Sequence, residues 1–114
     1  DSFQIQRVLV NLINNAIEAS GSGQNVEIAV SQRARLLNIL IRDHGAGMDD
    51  ETIRSIFTPF YTRKKGGTGL GMSIAKKIVD SHQGRIIVSS RPGRGTEVTV
   101  ALPRFRGMAG KRSP

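Results

Sequence analysis

DHGAGM (Asp43 to Met48) and GGTGLGMS (Gly66 to Ser73) are two glycine-rich runs separated by a lysine-containing stretch; the first closes a predicted strand and the second opens a predicted helix. Glycine lets a backbone turn through positive φ and approach a ligand closely, and a helix starting at such a loop offers unpaired N–H groups to phosphate. The pair therefore reads as a nucleotide pocket. It is not a Walker A loop, because no Lys-Ser/Thr pair follows the last glycine, and no strand runs directly into the second run as in a Rossmann unit.

Upstream of the first run, Leu36 to Asp43 alternates with Leu37, Ile39 and Ile41 in register. Asn25 to Val30 does the same with Val26, Ile28 and Val30, and the Ser31 to Arg35 link suits a hairpin. Before these, Ser2 to Ser20 has helical periodicity, with Ile5, Leu9, Leu12, Ile13 and Ala16 on one side; Gln4, Arg7, Asn11, Asn15 and Glu18 form a polar stripe, and Gly21 and Gly23 stop the helix. Between the runs, Asp49 or Asp50 caps a short helix carrying Ile53, Ile56 and Phe57, which Pro59 ends, and a loop follows from Thr58 to Gly69. Downstream, a helix from about Leu70 to His82 is expected to bury Leu70, Ile74, Ile78 and Val79, with Gly84 as its stop. Strands at Arg85 to Ser90 and Thr96 to Leu102 then flank an Arg-Pro-Gly-Arg-Gly turn. This order predicts an α+β sandwich with helices on one face of a sheet. The abrupt start on a long helix suggests that the first strands lie upstream.

At 114 residues, 38% of them hydrophobic, the chain makes one domain, 1–103, followed by a basic flexible tail, 104–114. Without cysteine, disulfides, thiolate metal sites and cysteine nucleophiles are excluded. No apolar run approaches the roughly 18 residues of a spanning helix, so direct membrane insertion of this fragment is not expected. The formal charge is +8, but Arg104, Arg106, Lys111 and Arg112 sit in the tail and Arg63, Lys64 and Lys65 in the expected phosphate loop. One Tyr, four Phe and no Trp leave little to stack on bases, so a nucleic-acid partner is not expected.

Asp43 shares the parity of Ile39 and Ile41, which aims its carboxylate inward, and Thr96 shares that of Val98 and Val100. An acceptor and a hydroxyl at the edge of an apolar layer suit a purine's amine and ring nitrogen; the competing reading makes Asp43 a turn residue and Thr96 an ordinary strand residue. On the first helix Asn11 and Asn15 share a face, near Asn14 and Glu18. Asparagine is an indifferent helix former, so its concentration there suggests that amide oxygens are wanted, as around Mg²⁺ with phosphates and water; solvent-facing amides are the alternative. Gly66, Gly67, Gly69 and Gly71 precede a helix whose N-terminus favours an anion, although a plain hinge has the same composition. His44 in the turn and His82 at a helix end have no nucleophile or metal-ligand spacing beside them.

In this order the residues resemble the catalytic and ATP-binding domain of sensor histidine kinases, within the GHKL ATPase group, over Asp1 to Pro103. QIQRVLVNLINNAIEA is similar to the asparagine box, DHGAGM to the first glycine box, IFTPFYTRK to the phenylalanine box, GGTGLGMSIAKKIVDSHQG to the second glycine box and GRGTEVTVALP to the terminal one. The resemblance implies a two-layer Bergerat fold, with a mixed, mostly antiparallel sheet covered on one face by about three helices. It makes ATP and Mg²⁺ the cofactors, Asn15 the Mg²⁺ ligand, Asn11 a polar residue beside the phosphates and Asp43 the adenine-amine acceptor. Gly45, Gly47 and Met48 shape the adenine pocket and Thr96 supports it. Gly67, Thr68, Gly69, Leu70 and Gly71 hold the phosphate-facing end of a lid, Phe57, Phe60 and Tyr61 anchor it, and Arg63 or Lys64 reaches phosphate; the glycines of Thr58 to Gly69 and their lack of apolar periodicity predict that this lid is mobile without nucleotide.

Hydrolysing relatives generally carry a glutamate general base where this chain has Asn11, and an amide cannot remove a proton. The resemblance thus implies that Asn11, Asn15 and Lys64 serve γ-phosphoryl transfer to a histidine on a separate dimerisation domain, through which alone the parent dimerises. A response regulator is the indirect partner and the bacterial cytoplasm the expected compartment. Alternatives are a GHKL ATPase and a non-enzymatic nucleotide-sensing module.

Overall fold

The computed structural model describes residues 2–58 and 71–103. Pro59, Phe60, Tyr61, Arg63, Lys64, Lys65, Gly66, Gly67, Thr68, Gly69 and Leu70, with the tail 104–114, lie outside the described residues, so the expectations placed on them are not addressed by the fold.

The elements are α1 (Ser2–Ala19), β1 (Glu27–Arg33), β2 (Leu36–Asp43), α2 (Asp50–Ser55), α3 (Gly71–Ser81), β3 (Arg85–Ser90) and β4 (Thr96–Pro103). The strands form one sheet in the order β1-β2-β4-β3. The α+β sandwich stands, and of the mixed, mostly antiparallel sheet expected, the four described strands pair antiparallel throughout. Cross-strand partners share a face, so Ile39 and Ile41 of β2 line up with Val100 and Val98 of β4, and these with Ile86 and Val88 of β3. Against this face α1 sets Val8, Leu12 and Ala16, and α3 sets Ala75 and Val79. Two helices therefore cover the described sheet rather than about three, since α2 buries none of its own residues.

The helices turn slightly away from the sequence expectation. Along α1 the fully buried line is Val8, Leu12 and Ala16, while Ile5, Leu9 and Ile13 are partly buried beside it. In α3, Ala75 and Val79 are buried and Ile74, expected inside, is 41% exposed. The α1–α3 interface selects a small residue where the helices approach, and the larger Ile74 stays at the rim. α3 ends with Gln83 at φ 62, and the Gly84 N–H donates to the Val79 carbonyl at 2.9 Å, satisfying a carbonyl of the last turn. The β1–β2 hairpin is tighter than expected: the strands continue to Arg33 and restart at Leu36, with Ala34 at φ 53 in the turn. At α2, Asp49 is the N-cap, its Oδ1 accepting the Thr52 N–H at 2.8 Å.

On the opposite face, Glu27, Arg42 and Glu97 are neighbours in adjacent strands. Arg42 Nη2 lies 2.6 Å from Glu97 Oε2, and Arg42 Nη1 3.9 Å from Glu27 Oε1. With all three side chains substantially exposed, the ion pairs contribute little to stability.

Candidate functional site

Asp43 ends β2 on the parity of Ile39 and Ile41 and is only 6% exposed, so its carboxylate is turned inward. A carboxylate taken out of water needs donors. The Gly45 N–H donates to its Oδ1 at 2.9 Å. Register pairs Asp43 with Thr96 and Thr96 with Ser90, placing three polar side chains in one row on the helix side of the sheet, directly after the Ile41–Val98–Val88 row.

DHGAGM leaves β2 and docks on the β3–β4 hairpin. The Gly93 N–H donates to the Ala46 carbonyl at 2.6 Å, and the Met48 N–H to Ser90 Oγ at 2.8 Å. Two glycines are required by this approach. A Cβ on Gly45 would strike the Ala19 carbonyl of α1, and Gly47, at φ 74, has the Arg91 carbonyl where a Cβ would sit. Met48 is half-buried. A shallow cavity bordered by Met48, Asp49, Asp50, Ser90, Arg91, Pro92 and Arg94 lies beside the row without including Asp43 or Thr96, and its two carboxylates and two guanidiniums give it no single charge.

The second cluster lies on α1. Asn11 and Asn15 are half-buried on the flank that meets α3, whereas Asn14 and Glu18 are exposed. A Cβ built on Gly71 would come within 2.8 Å of both terminal atoms of the Asn11 amide, and Asn15 Nδ2 donates to Met72 Sδ at 3.3 Å. Both amides thus stand against the first turn of the 11-residue α3. Because Gly45 abuts Ala19, the Asp43 row sits at the C-terminal end of α1; Asn15 is one turn back and Asn11 two, about 6 Å and 12 Å along the helix. The three positions form a line at the boundary between sheet and helices.

Phe57 is half-buried just after α2. Phe60, Arg63, Lys64, Thr68, Gly69 and Leu70 lie outside the described residues. His44 Nε2 lies 3.0 Å from Glu27 Oε1 on an exposed strand edge, and His82 Nδ1 lies 2.7 Å from the Ile78 carbonyl at the end of α3; both fit structural roles. Sequence reasoning passed over Ser90. Its parity with Ile86 and Val88 was available, but its bonds to Met48 and Thr96 depend on a loop 42 positions away and on hairpin register.

The chain belongs to the family of histidine kinase-, DNA gyrase B- and HSP90-like ATPases, which it matches over residues 1–106. It is similar to Sporulation kinase A of Bacillus subtilis (strain 168), 35% identical over 104 residues that make up 91% of this chain and 17% of that protein. It is also similar to the sensor histidine kinase WalK of the same organism, 40% identical over 111 residues, 90% of this chain and 18% of that protein. Among solved structures, the nucleotide-free catalytic domain of histidine kinase ThkA superposes with a TM-score of 0.82 at 35% identity, covering 91% of this chain and 68% of that one. Its domain type is therefore the ATP-binding catalytic domain of two-component sensor histidine kinases. The chain spans less than a fifth of the length of either kinase. Among the described residues no helix is long and apolar enough to cross a membrane.

Proposed function

We propose that this domain binds ATP with its base against the Asp43–Thr96 row and its phosphates along Asn15, Asn11 and the start of α3, and presents the γ-phosphoryl to a histidine on a separate helical dimerisation domain. The observation that carries this reading is the line from the buried Asp43 to Asn15 and Asn11 along α1. Asp43 accepts from the base amine. Gly45 and Gly47, which tolerate no side chain, let the backbone close on the base, Met48 and Phe57 border it, and Thr96 supports it from β4. Gly71 and its N-terminal neighbours Thr68, Gly69 and Leu70 bring α3's partial positive charge to the phosphates. Phe60 anchors the intervening segment, and Arg63 or Lys64 adds a cationic contact.

The described residues include no group of three or more His, Cys, Asp or Glu side chains arranged for a metal. Neutral amides beside phosphate fit Mg²⁺, which takes oxygen ligands and retains much of its coordination from phosphate and water. Asn15 would hold the ion, whose chemistry is to offset charge on the phosphoryl oxygens. Asn11 cannot act as a general base, and an imidazole nucleophile needs none that is strong, so positioning and charge neutralisation carry the reaction. The reading extends to a folded unit 1–103 with a basic tail 104–114, to dimerisation through the phosphoacceptor domain, to a response regulator downstream and to a cytoplasmic site. The last follows from the need for ATP.

The test combines this domain with a dimerisation and histidine-phosphotransfer domain and Mg·[γ-³²P]ATP. Label on the histidine, acid-labile and alkali-stable, is expected. Steady phosphate release without label would instead favour an ATPase, and nucleotide binding with neither outcome a sensing module.

A further inference from the structure

We propose that Ser90 is a positioning residue for base recognition: it holds the Thr96 hydroxyl as a hydrogen-bond acceptor and so sets the preference for a purine bearing an amine. This rests on the reading that the Asp43–Thr96 row meets the base. Ser90 Oγ has three polar neighbours at 2.8 Å: the Met48 N–H, the Gly95 carbonyl and Thr96 Oγ1. A hydroxyl has one proton and two acceptor sites. The Met48 N–H can only donate and the Gly95 carbonyl only accept, so Ser90 receives from Met48 and gives its proton to Gly95. The contact with Thr96 is then a hydrogen bond only if Thr96 is the donor. All three bonds are made in this arrangement alone, and it consumes the Thr96 proton.

The consequence appears across the strand. Thr96 is the register partner of Asp43, on the same face, so the wall offered to a base is a carboxylate next to a hydroxyl oxygen with only lone pairs to give. A 6-amino purine sets two amine N–H donors against such a wall and leaves its ring N1, an acceptor, unmet by Thr96, whereas a 6-oxo purine sets an acceptor in place of the amine and keeps only its N1–H as a donor. Unpaired polar groups in a closed site discriminate strongly. Without Ser90 the Thr96 proton is released to rotate toward the ligand, and a 6-oxo group gains a donor.

The test is direct binding of ATP and ITP, measured calorimetrically with Mg²⁺, to the wild-type domain and to Ser90→Ala, Ser90→Thr, Thr96→Val, Ser90→Ala/Thr96→Val and Asp43→Asn. Ser90→Ala should lower the ATP-over-ITP preference by about fivefold or more, and Ser90→Thr, which keeps the hydroxyl, should retain it. In the Thr96→Val background, Ser90→Ala should have no further effect on the ratio, because the influence passes through Thr96. A purely structural role predicts that both nucleotides weaken alike; a ratio held within about twofold in Ser90→Ala, or one that still shifts in the Thr96→Val background, overturns the inference. If Ser90→Ala does not fold, by far-UV circular dichroism, Ser90→Cys, a poor hydrogen-bonding replacement of similar size, takes its place with the same expected drop. Failure of the underlying reading looks different: Asp43→Asn would then leave the ATP-over-ITP ratio unchanged.

Discussion

The two ends of the proposed cleft are built differently. At the base end, Asp43, Gly45, Ala46, Met48, Ser90 and Gly93 are tied by hydrogen bonds that mostly involve backbone groups, between a sheet edge and a hairpin. At the phosphate end, Asn11 and Asn15 are side chains on a helix, and Asn15 meets α3 in a contact with the Met72 thioether, a weak acceptor. The contrast shows where preorganisation resides. On the proposed reading, a base of fixed shape would be met by fixed backbone, and a phosphoryl group about to leave by side chains beside the start of another helix.

The sharpest way to break this division is Asn15→Ala. If the phosphate end carries transfer, the rate of histidine labelling should fall about 100-fold or more, roughly 2.7 kcal/mol, while the ATP-over-ITP preference is unchanged. A change in base preference would mean that the two ends are not separate. The reciprocal substitution is Asp43→Asn. Replacing a charged acceptor with a neutral amide should weaken ATP about 10- to 100-fold and weaken a purine nucleotide lacking the 6-amine much less, as read by competition binding. Equal losses would remove Asp43 from contact with the amine.

The base end was the more legible of the two. Parity along β2 alone turned Asp43 inward, because strand alternation passes through Ile39 and Ile41 without interruption and the register of β4 brings Thr96 beside it. At β1 the same rule gave the face but not the burial: Ile28 and Val30 alternate as clearly and share the face of Ile41 and Ile39, yet remain 52% and 65% exposed. Periodicity assigns a face; whether that face is covered depends on helix placement, and α1 lies over β2. The helices were harder for a related reason. Ile5, Leu9 and Ile13 form as regular a stripe as Val8, Leu12 and Ala16, and only the contact with α3 decides which is central. Ser90 was out of reach, since a serine in a strand gains its role from a loop and a hairpin that the pattern does not relate.

Gly47→Ala probes the rigidity of the base end without touching a side chain proposed to meet ligand. The residue sits at φ 74 with the Arg91 carbonyl in the position of a Cβ, so the loop must shift off the hairpin. A loss of about 1–3 kcal/mol in chemical denaturation is expected, with weaker ATP binding and an unchanged contribution from the phosphates, judged by comparing ADP with AMP. A variant as stable as the wild type would mean that the docked loop is not needed to hold the base end in shape.

The smallest expected effect separates function from helix chemistry within a single turn. Asn11, Asn14 and Asn15 share the intrinsic cost of asparagine in a helix, about 0.5 kcal/mol relative to alanine, but only Asn11 and Asn15 are drawn in against α3 while Asn14 is exposed. Asn14→Ala should therefore stabilise the domain by a few tenths of a kcal/mol in denaturant unfolding and leave nucleotide binding and histidine labelling as they were. Asn11→Ala has the same propensity gain available, yet it removes an amide next to Gly71 and should slow labelling. Opposite outcomes for substitutions three residues apart would show that α1 gives up helix stability where it faces the phosphates. If Asn14→Ala impaired labelling as much as Asn11→Ala, the asparagines would be acting through the helix as a whole, and the separation of the phosphate end into particular side chains would fail.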